Sequence, residues 1–266
     1  MKATVFLGGG RITGALLAGW QLAKYAPPVV VYDRHAQKLR QLKRLYGVDT
    51  EADLHRAVEQ AKILVIAVRP SSVADLLREI GRVDRPLTAL SLAAGVPFAN
   101  LRSALGSRVR WARAMPSPAS RSGRGLAALA FDRGFRSAAK GEVKRLFTKV
   151  GQVIEIPERQ FDTFTATHSC SHGYHALATL ASEAEKLGLE RRTALTAAAH
   201  ALADGIVAWR EGSISLEALL DEAATPGGIA AATHEAVRRA GYHRAVAAGL
   251  AAGVKQARKN ARRSLL

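Results

Sequence analysis

At 266 residues, 48% hydrophobic and 23% charged, the chain can build one large domain or two ordinary ones, and it is too apolar for a disordered segment. No apolar run reaches the roughly 18 residues of a membrane span, and a lone Cys170 excludes a disulfide framework or a cysteine-built structural zinc site. The net charge of +17 raises nucleic acid as a partner, yet the basic residues are scattered (Arg34, Lys38, Arg40, Lys43, Arg44 and the tail 255–263) and no aromatic side chains interleave with them. Strand texture from residue 3 onward, rather than a cleavable leader, leads us to expect a soluble cytoplasmic protein whose basic surface attracts an acidic small molecule.

Taken in chain order, β-branched and apolar runs at 3–7, 29–32, 63–68, 87–92, 109–112, 126–131 and 152–156 read as strands. Amphipathic stretches, such as 12–24, 37–45 and 142–150, lie between most of them. Strands alternating with helices at this spacing predict βαβ units and a doubly wound parallel sheet of Rossmann type over residues 1–157. From 158 to 266 the strand signal stops. Segments 161–187, 191–210, 216–223, 229–240 and 243–262 are rich in Ala and Leu and read as helices, punctuated by Gly188, Gly212 and Gly241. An all-helical domain with so many small apolar faces must bury them internally or against a second copy.

The first strand runs into Gly8-Gly9-Gly10-Arg11-Ile12-Thr13-Gly14 and then a helix. Gly8 permits a tight turn, Gly10 lets backbone approach a diphosphate, and Arg11 and Ile12 open a helix whose free N–H groups and positive end favour an anion. The third small position of the fingerprint holds Thr13, with Gly14 one residue late. At the end of the second strand, Asp33 is placed to accept from a ribose diol, as NAD requires, whereas Arg34, with His35 and Lys38, suits the extra phosphate of NADP. NADPH and NADH both remain open.

In the second half, Thr225-Pro226-Gly227-Gly228 combines an N-cap residue with a proline suited to the first helical position. Read so, the N–H groups of Gly227, Gly228 and Ile229 form an anion seat; a plain helix cap is the alternative. His168, His172 and His175 stand at i, i+4 and i+7, which on one helix would place them on one face. They could donate a proton near neutrality, bind a metal with Cys170, or serve as hydrogen-bonded interface residues. No carboxylate lies near them in sequence, so no metal is expected.

Several segments together resemble the pyrroline-5-carboxylate reductase family across nearly the whole chain: Phe6-Leu7-Gly8-Gly9-Gly10, the strand from Ile63 to Val68 with Arg69-Pro70, Ser91-Leu92-Ala93-Ala94-Gly95-Val96, Arg113-Ala114-Met115-Pro116, the stretch from Phe161 to Ala166, and Thr225-Pro226-Gly227-Gly228. The resemblance implies an N-terminal Rossmann domain, a helical dimerisation domain, and reduction of pyrroline-5-carboxylate to proline by NADPH or NADH. It implies that Val68, Arg69, Pro70 and Ala94 border the cofactor, that Met115 and Pro116 wall the nicotinamide pocket, and that the Thr225 turn seats the substrate carboxylate. Reducing an imine by hydride needs a proton on nitrogen, and for that step His172 and His168, with Thr225, are the expected catalytic group.

The chain departs from the family pattern at three places. Ile229 and Ala230 replace two threonines, His168-Ser169-Cys170-Ser171-His172-Gly173-Tyr174 replaces Ser-Gly-Ser-Gly-Pro-Ala-Tyr, and the loop from Met115 to Ala119 is one residue short. All lie at the expected substrate end. An imine reductase acting on a different substrate, or a dinucleotide-binding dimer without turnover, are therefore the alternatives.

Overall fold

A computed structural model describes residues 2–264. Eight strands among them form one sheet: β1 (Ala3–Leu7), β2 (Val29–Tyr32), β3 (Asp49–Glu51), β4 (Ala61–Ile66), β5 (Leu87–Ser91), β6 (Val109–Pro116), β7 (Gly125–Phe131) and β8 (Gly151–Glu155). Their order is β3-β2-β1-β4-β5-β6-β7-β8. The direction of chain travel across the sheet therefore reverses between β1 and β4.

Runs such as Val29-Val30-Val31-Tyr32 are buried on both sides, as expected where helices cover both faces. Alternation along β1 sends Val5 and Leu7 to one face and Phe6 to the other. The Phe6 face is covered by α1 (Arg11–Leu22), α2 (Ala36–Tyr46) and α6 (Ser137–Thr148). There the Trp20 indole N–H donates to the Leu146 carbonyl at 2.6 Å. The opposite face carries α3 (Leu54–Gln60), α4 (Val73–Ile80), α5 (Phe98–Leu101) and α7 (Phe161–Thr167). On α1, a Cβ added to Gly19 would overlap the Ser120 carbonyl and approach Val150 Cγ1 to 2.7 Å.

Two expectations need correction. The sheet is not wholly parallel: β7 runs antiparallel to β6, and β8 follows β7. Only residues 117–124 separate β6 from β7, too few for a crossover, which needs a dozen or more. The helix expected over 161–187 is also two helices, α7 and α8 (Ser171–Lys186). Hydroxyls compete for the backbone at the break: Thr165 Oγ1 donates to Phe161 O at 2.7 Å, and Ser169 Oγ accepts from Ser171 N at 3.3 Å.

The chain divides into two compact units. One holds the sheet, its helices through His168, and the chain from Ala252 onward. The other, Ser169–Ala251, holds α8, α9 (Arg191–Glu211), α10 (Leu216–Ala223), α11 (Ile229–Arg239) and the start of α12 (Tyr242–Arg263). Within this helical unit α8 and α9 pack through Ala181, Ala194 and Ala198, while Leu187, Ile206, Trp209, Leu220 and Ile229 lie exposed.

Candidate functional site

The turn after β1 sits where the sheet reverses, and in open α/β sheets that reversal opens a crevice at the carboxyl ends of the strands. Gly8 has φ +116°, and a Cβ there would stand 2.7 Å from the Ala67 oxygen, so β1 and β4 meet without room for a side chain. Gly10 is the contrary case: a Cβ would meet nothing within 4 Å. The backbone there faces open space, the cradle a diphosphate needs.

Gly10 is also the N-cap of α1, no side chain caps it, and the first turn carries no acidic residue. The helix thus begins at Arg11 with its leading N–H groups and positive end unclaimed by a side chain. Arg11 is exposed and Ile12 half-buried. Thr13, an irregularity in the fingerprint, is fully buried and donates its hydroxyl to Gly8 O at 2.6 Å. It ties the turn to the helix it precedes, a role that the spacing of the glycines does not disclose.

Asp33 binds the same turn from the other side. Its Oδ2 accepts from Gly9 N at 2.9 Å and from Lys38 Nζ at 3.4 Å, and its Oδ1 accepts from His35 N at 2.9 Å, with the His35 ring 2.8 Å away. Burial would raise this carboxyl, but the His35 backbone and ring, the Gly9 N–H and the Lys38 ammonium together hold it below its ordinary 3.8. Arg34, directed outward, pairs with Glu79. The end of β2 thus carries a carboxylate engaged with its own chain, bordered by the exposed cations of Arg34 and Lys38.

Next along the edge, β4 gives way to half-buried Val68, exposed Arg69, and Pro70, which opens a short 3-10 turn. Beyond β5, half-buried Ala94 precedes Gly95 at φ +72°. Beyond these, half-buried Met115 and buried Pro116 end β6. Because β7 is antiparallel, its amino end returns to this edge. There the Leu126 carbonyl accepts from Ser117 N at 3.2 Å and lies 3.0 Å from His168 Nε2. The His168 ring also lies 4.8 Å from that of Phe164. His168 is therefore engaged beside the end of β6, and it is not on the helix that carries His172 and His175, which corrects the shared face expected of all three.

The turn before α11 also differs from expectation. The N-cap is Gly228, not Thr225, and Pro226 precedes the helix. Gly228 N donates to Thr225 O at 2.9 Å across a turn with Pro226 and Gly227 (φ +77°) at its centre, the type II arrangement. Gly228's N–H is thereby used, and the uncapped start of the helix falls on Ile229 and the two residues after it. Thr225, Gly227, Gly228, Ile229 and His172 belong to the helical unit; the other expected site residues lie along the carboxyl edge of the sheet. Among the described residues, no three His, Cys, Asp or Glu side chains are grouped to hold a metal.

Sequence reasoning missed Arg113. Midway along β6 it is buried, lies 3.3 Å from Glu158 and 3.6 Å from Asp162, and covers the Phe161 ring at 4.2 Å. Burial pulls its guanidinium below the ordinary range, opposed by the two carboxylates. An arginine flanked by Ala112 and Ala114 and close to Trp111 and Met115 was the signal available.

Comparison with known proteins agrees with this arrangement. Residues 4–95 match the model for NADP oxidoreductase, coenzyme F420-dependent, and residues 158–260 match that for pyrroline-5-carboxylate reductase dimerisation. A pyrroline-5-carboxylate reductase of Mycobacterium leprae is 30% identical over 212 residues, covering 76% of this chain and 72% of that protein. The fold of a pyrroline-5-carboxylate reductase from Coxiella burnetii superposes with a TM-score of 0.86 at 24% identity, covering 97% of this chain and 98% of that one. The pyrroline carboxylate reductase of Plasmodium falciparum, solved with NADP bound, shares the fold with a TM-score of 0.85 at 20% identity, over 97% and 98% of the two chains. An open glycine turn at the sheet reversal in one unit, a helical unit poor in core, and relatives matched along most of the chain place it in the pyrroline-5-carboxylate reductase family.

Proposed function

We propose that the protein is an NAD(P)H-dependent reductase of a cyclic imine, converting pyrroline-5-carboxylate to L-proline in the cytoplasm as a homodimer or larger homo-oligomer. In this reading residues 1–157 bind the dinucleotide, and residues 158–266 supply dimerisation and the substrate seat. The observation that carries it is the turn Gly8 to Gly10 at the sheet reversal, open in front of Gly10 and followed by an uncapped α1. That cradle fits a dinucleotide. Gly8, Gly10, Arg11 and Ile12 would hold the diphosphate; Asp33 and Arg34 would border the adenosine ribose; Val68, Arg69, Pro70 and Ala94 would border the nicotinamide end. When bound, the reduced nicotinamide supplies the hydride that saturates the C=N bond.

The chain's own groups bind, orient and protonate. The leading N–H groups of α11 from Ile229, shaped by the turn from Thr225 to Gly228, favour a carboxylate through their partial positive charge. Met115 and Pro116 give the imine ring an apolar wall. Hydride addition leaves a nitrogen that needs a proton, and His172 is our choice as the group that delivers it or orients a water. His168, whose Nε2 lies 3.0 Å from the Leu126 carbonyl and whose ring lies against Phe164, is the other candidate for that task.

Steady-state oxidation of NADPH and of NADH with pyrroline-5-carboxylate tests the proposal. Turnover with either cofactor is the expected result. A second reading, reduction of a different imine, is favoured by Ile229 and Ala230, which bring no hydroxyl to a position where the family usually has threonine. Oxidation with bulkier cyclic imines and none with pyrroline-5-carboxylate would replace the first reading with the second. Cofactor binding without oxidation by any imine would leave a dinucleotide-binding dimer without turnover.

A further inference from the structure

The carboxyl-terminal part of α12 belongs to the same compact unit as the sheet, and its contacts converge on the segment that follows β5. Gly95 lies against it so closely that a Cβ would overlap the Ala257 carbonyl and stand 2.9 Å from Ala257 Cα. One turn further on, Asn260 Oδ1 accepts from Gln256 Nε2 at 3.0 Å, which orients the amide so that Nδ2 donates to the Ala94 carbonyl at 3.4 Å. Asn100, buried at the far end of the segment, donates through Nδ2 to Ala261 O at 2.7 Å and to Ser264 Oγ at 3.0 Å. Ala257 and Ser264 are themselves buried. On its other flank the helix meets α7, where a Cβ on Gly253 would stand 3.0 Å from Ala166 Cβ.

The segment so gripped leaves the sheet two strands from β1, beyond β4. At the spacing of neighbouring strands it lies roughly 10 Å from the diphosphate turn. That is the end of the crevice that the nicotinamide half of a dinucleotide must reach. Ser91 Oγ accepts from Ala93 N at 3.3 Å and buried Val96 anchors the far side, but Ala94 and Gly95 between them carry no side chain long enough to brace the loop. We propose that residues 252–263 of α12, with Ser264 just beyond it, act as the positioning element for this loop, with Asn260 and Asn100 as positioning residues that fix the Ala94 carbonyl and the Gly95 turn against the nicotinamide end of the cofactor. The inference rests on the reading of the crevice as a dinucleotide site. It adds that the last helix governs one half of the bound molecule and not the other.

The test compares NADPH with 2′-phospho-ADP-ribose, which keeps the adenosine and diphosphate but lacks nicotinamide. Asn260→Ala and Asn100→Ala are titrated with both by calorimetry, and KM and kcat are measured with the imine. Loss of one such hydrogen bond is expected to weaken NADPH binding about fivefold and raise its KM alike, with the affinity for the fragment changed less than twofold. Asn260→Ala decides the matter if Asn100→Ala does not fold, since Asn260 is only half-buried. A fall in both affinities together, or in neither, would overturn the inference while leaving the cofactor reading in place. Wild-type protein that binds neither of these molecules, nor NADH and ADP-ribose in the same titration, would overturn both.

Discussion

Two glycines in one turn are expected to respond to the same methyl group in opposite ways. Gly8→Ala must place a Cβ against the Ala67 carbonyl at a left-handed φ, so it should cost about 1–3 kcal/mol of stability and lower the Tm. Gly10→Ala meets nothing, and its φ of −82° suits alanine, so its Tm should stay near wild type. The methyl would nevertheless fill the space we propose for the diphosphate, and a loss of NADPH affinity of about tenfold or more is expected by titration. Gly10→Ala binding NADPH as wild type does would count against the cradle. Asp33 gives a pH signature. Its folded value lies below 3.8, so its contribution to stability is complete above that pH and is lost as the pH falls through the lower, folded value. Urea unfolding across the acid limb should therefore be less steep in pH for Asp33→Asn than for wild type. These features were legible in sequence because a strand, three glycines and an acidic residue some twenty positions later are local patterns. The internal engagement of Asp33 was not, since the same letter serves a ribose or a backbone N–H.

At the scale of elements, β1, β2 and α10 follow their hydrophobic periodicity to the residue, and most other boundaries shift by a few positions. The larger differences are places where periodicity carries no information. The break between α7 and α8 depends on hydroxyls bonding to backbone, and the reversal of β7 depends on loop length. The turn before α11 was readable as a helix start but not in its register, because Thr, Pro and Gly suit a cap and a type II turn alike. Gly227→Ala, strained at φ +77°, is expected to raise the KM for the imine with the KM for NADPH unchanged, measured in the same steady-state assay. Arg113 joins β6 to the segment that enters α7, and Arg113→Met would leave the Glu158 and Asp162 carboxylates without it. Because those carboxylates are each about a third exposed and can turn to water, the change is expected to cost about 1 kcal/mol or less, and equilibrium urea unfolding would report it.

The whole molecule poses a different problem. The sheet unit has two extensive apolar clusters, whereas the helical unit buries three alanines and leaves Ile206 at 56% and Trp209 at 44% exposure on α9. Such faces ask for a second copy, in keeping with the dimerisation family matched over residues 158–260. Sedimentation should find a dimer or larger assembly, and the Tm should rise with protein concentration. Ile206→Asp should shift the assembly toward monomer; an unchanged sedimentation profile would remove α9 from the contact. The alanine-rich pattern announced that these helices need covering, but which faces meet depends on shapes that no single chain spells out.

Gly19 gives the crevice a mechanical character. With the Ser120 carbonyl and Val150 occupying the place of a side chain, α1 is wedged by its far half and has no clearance to roll or slide. Its leading amides are thus a fixed jaw, already aimed before any cofactor arrives. On the proposed reading, motion that admits or releases the cofactor comes from other walls of the cleft, and amides in the middle of α1 should exchange with deuterium only when the entire unit unfolds.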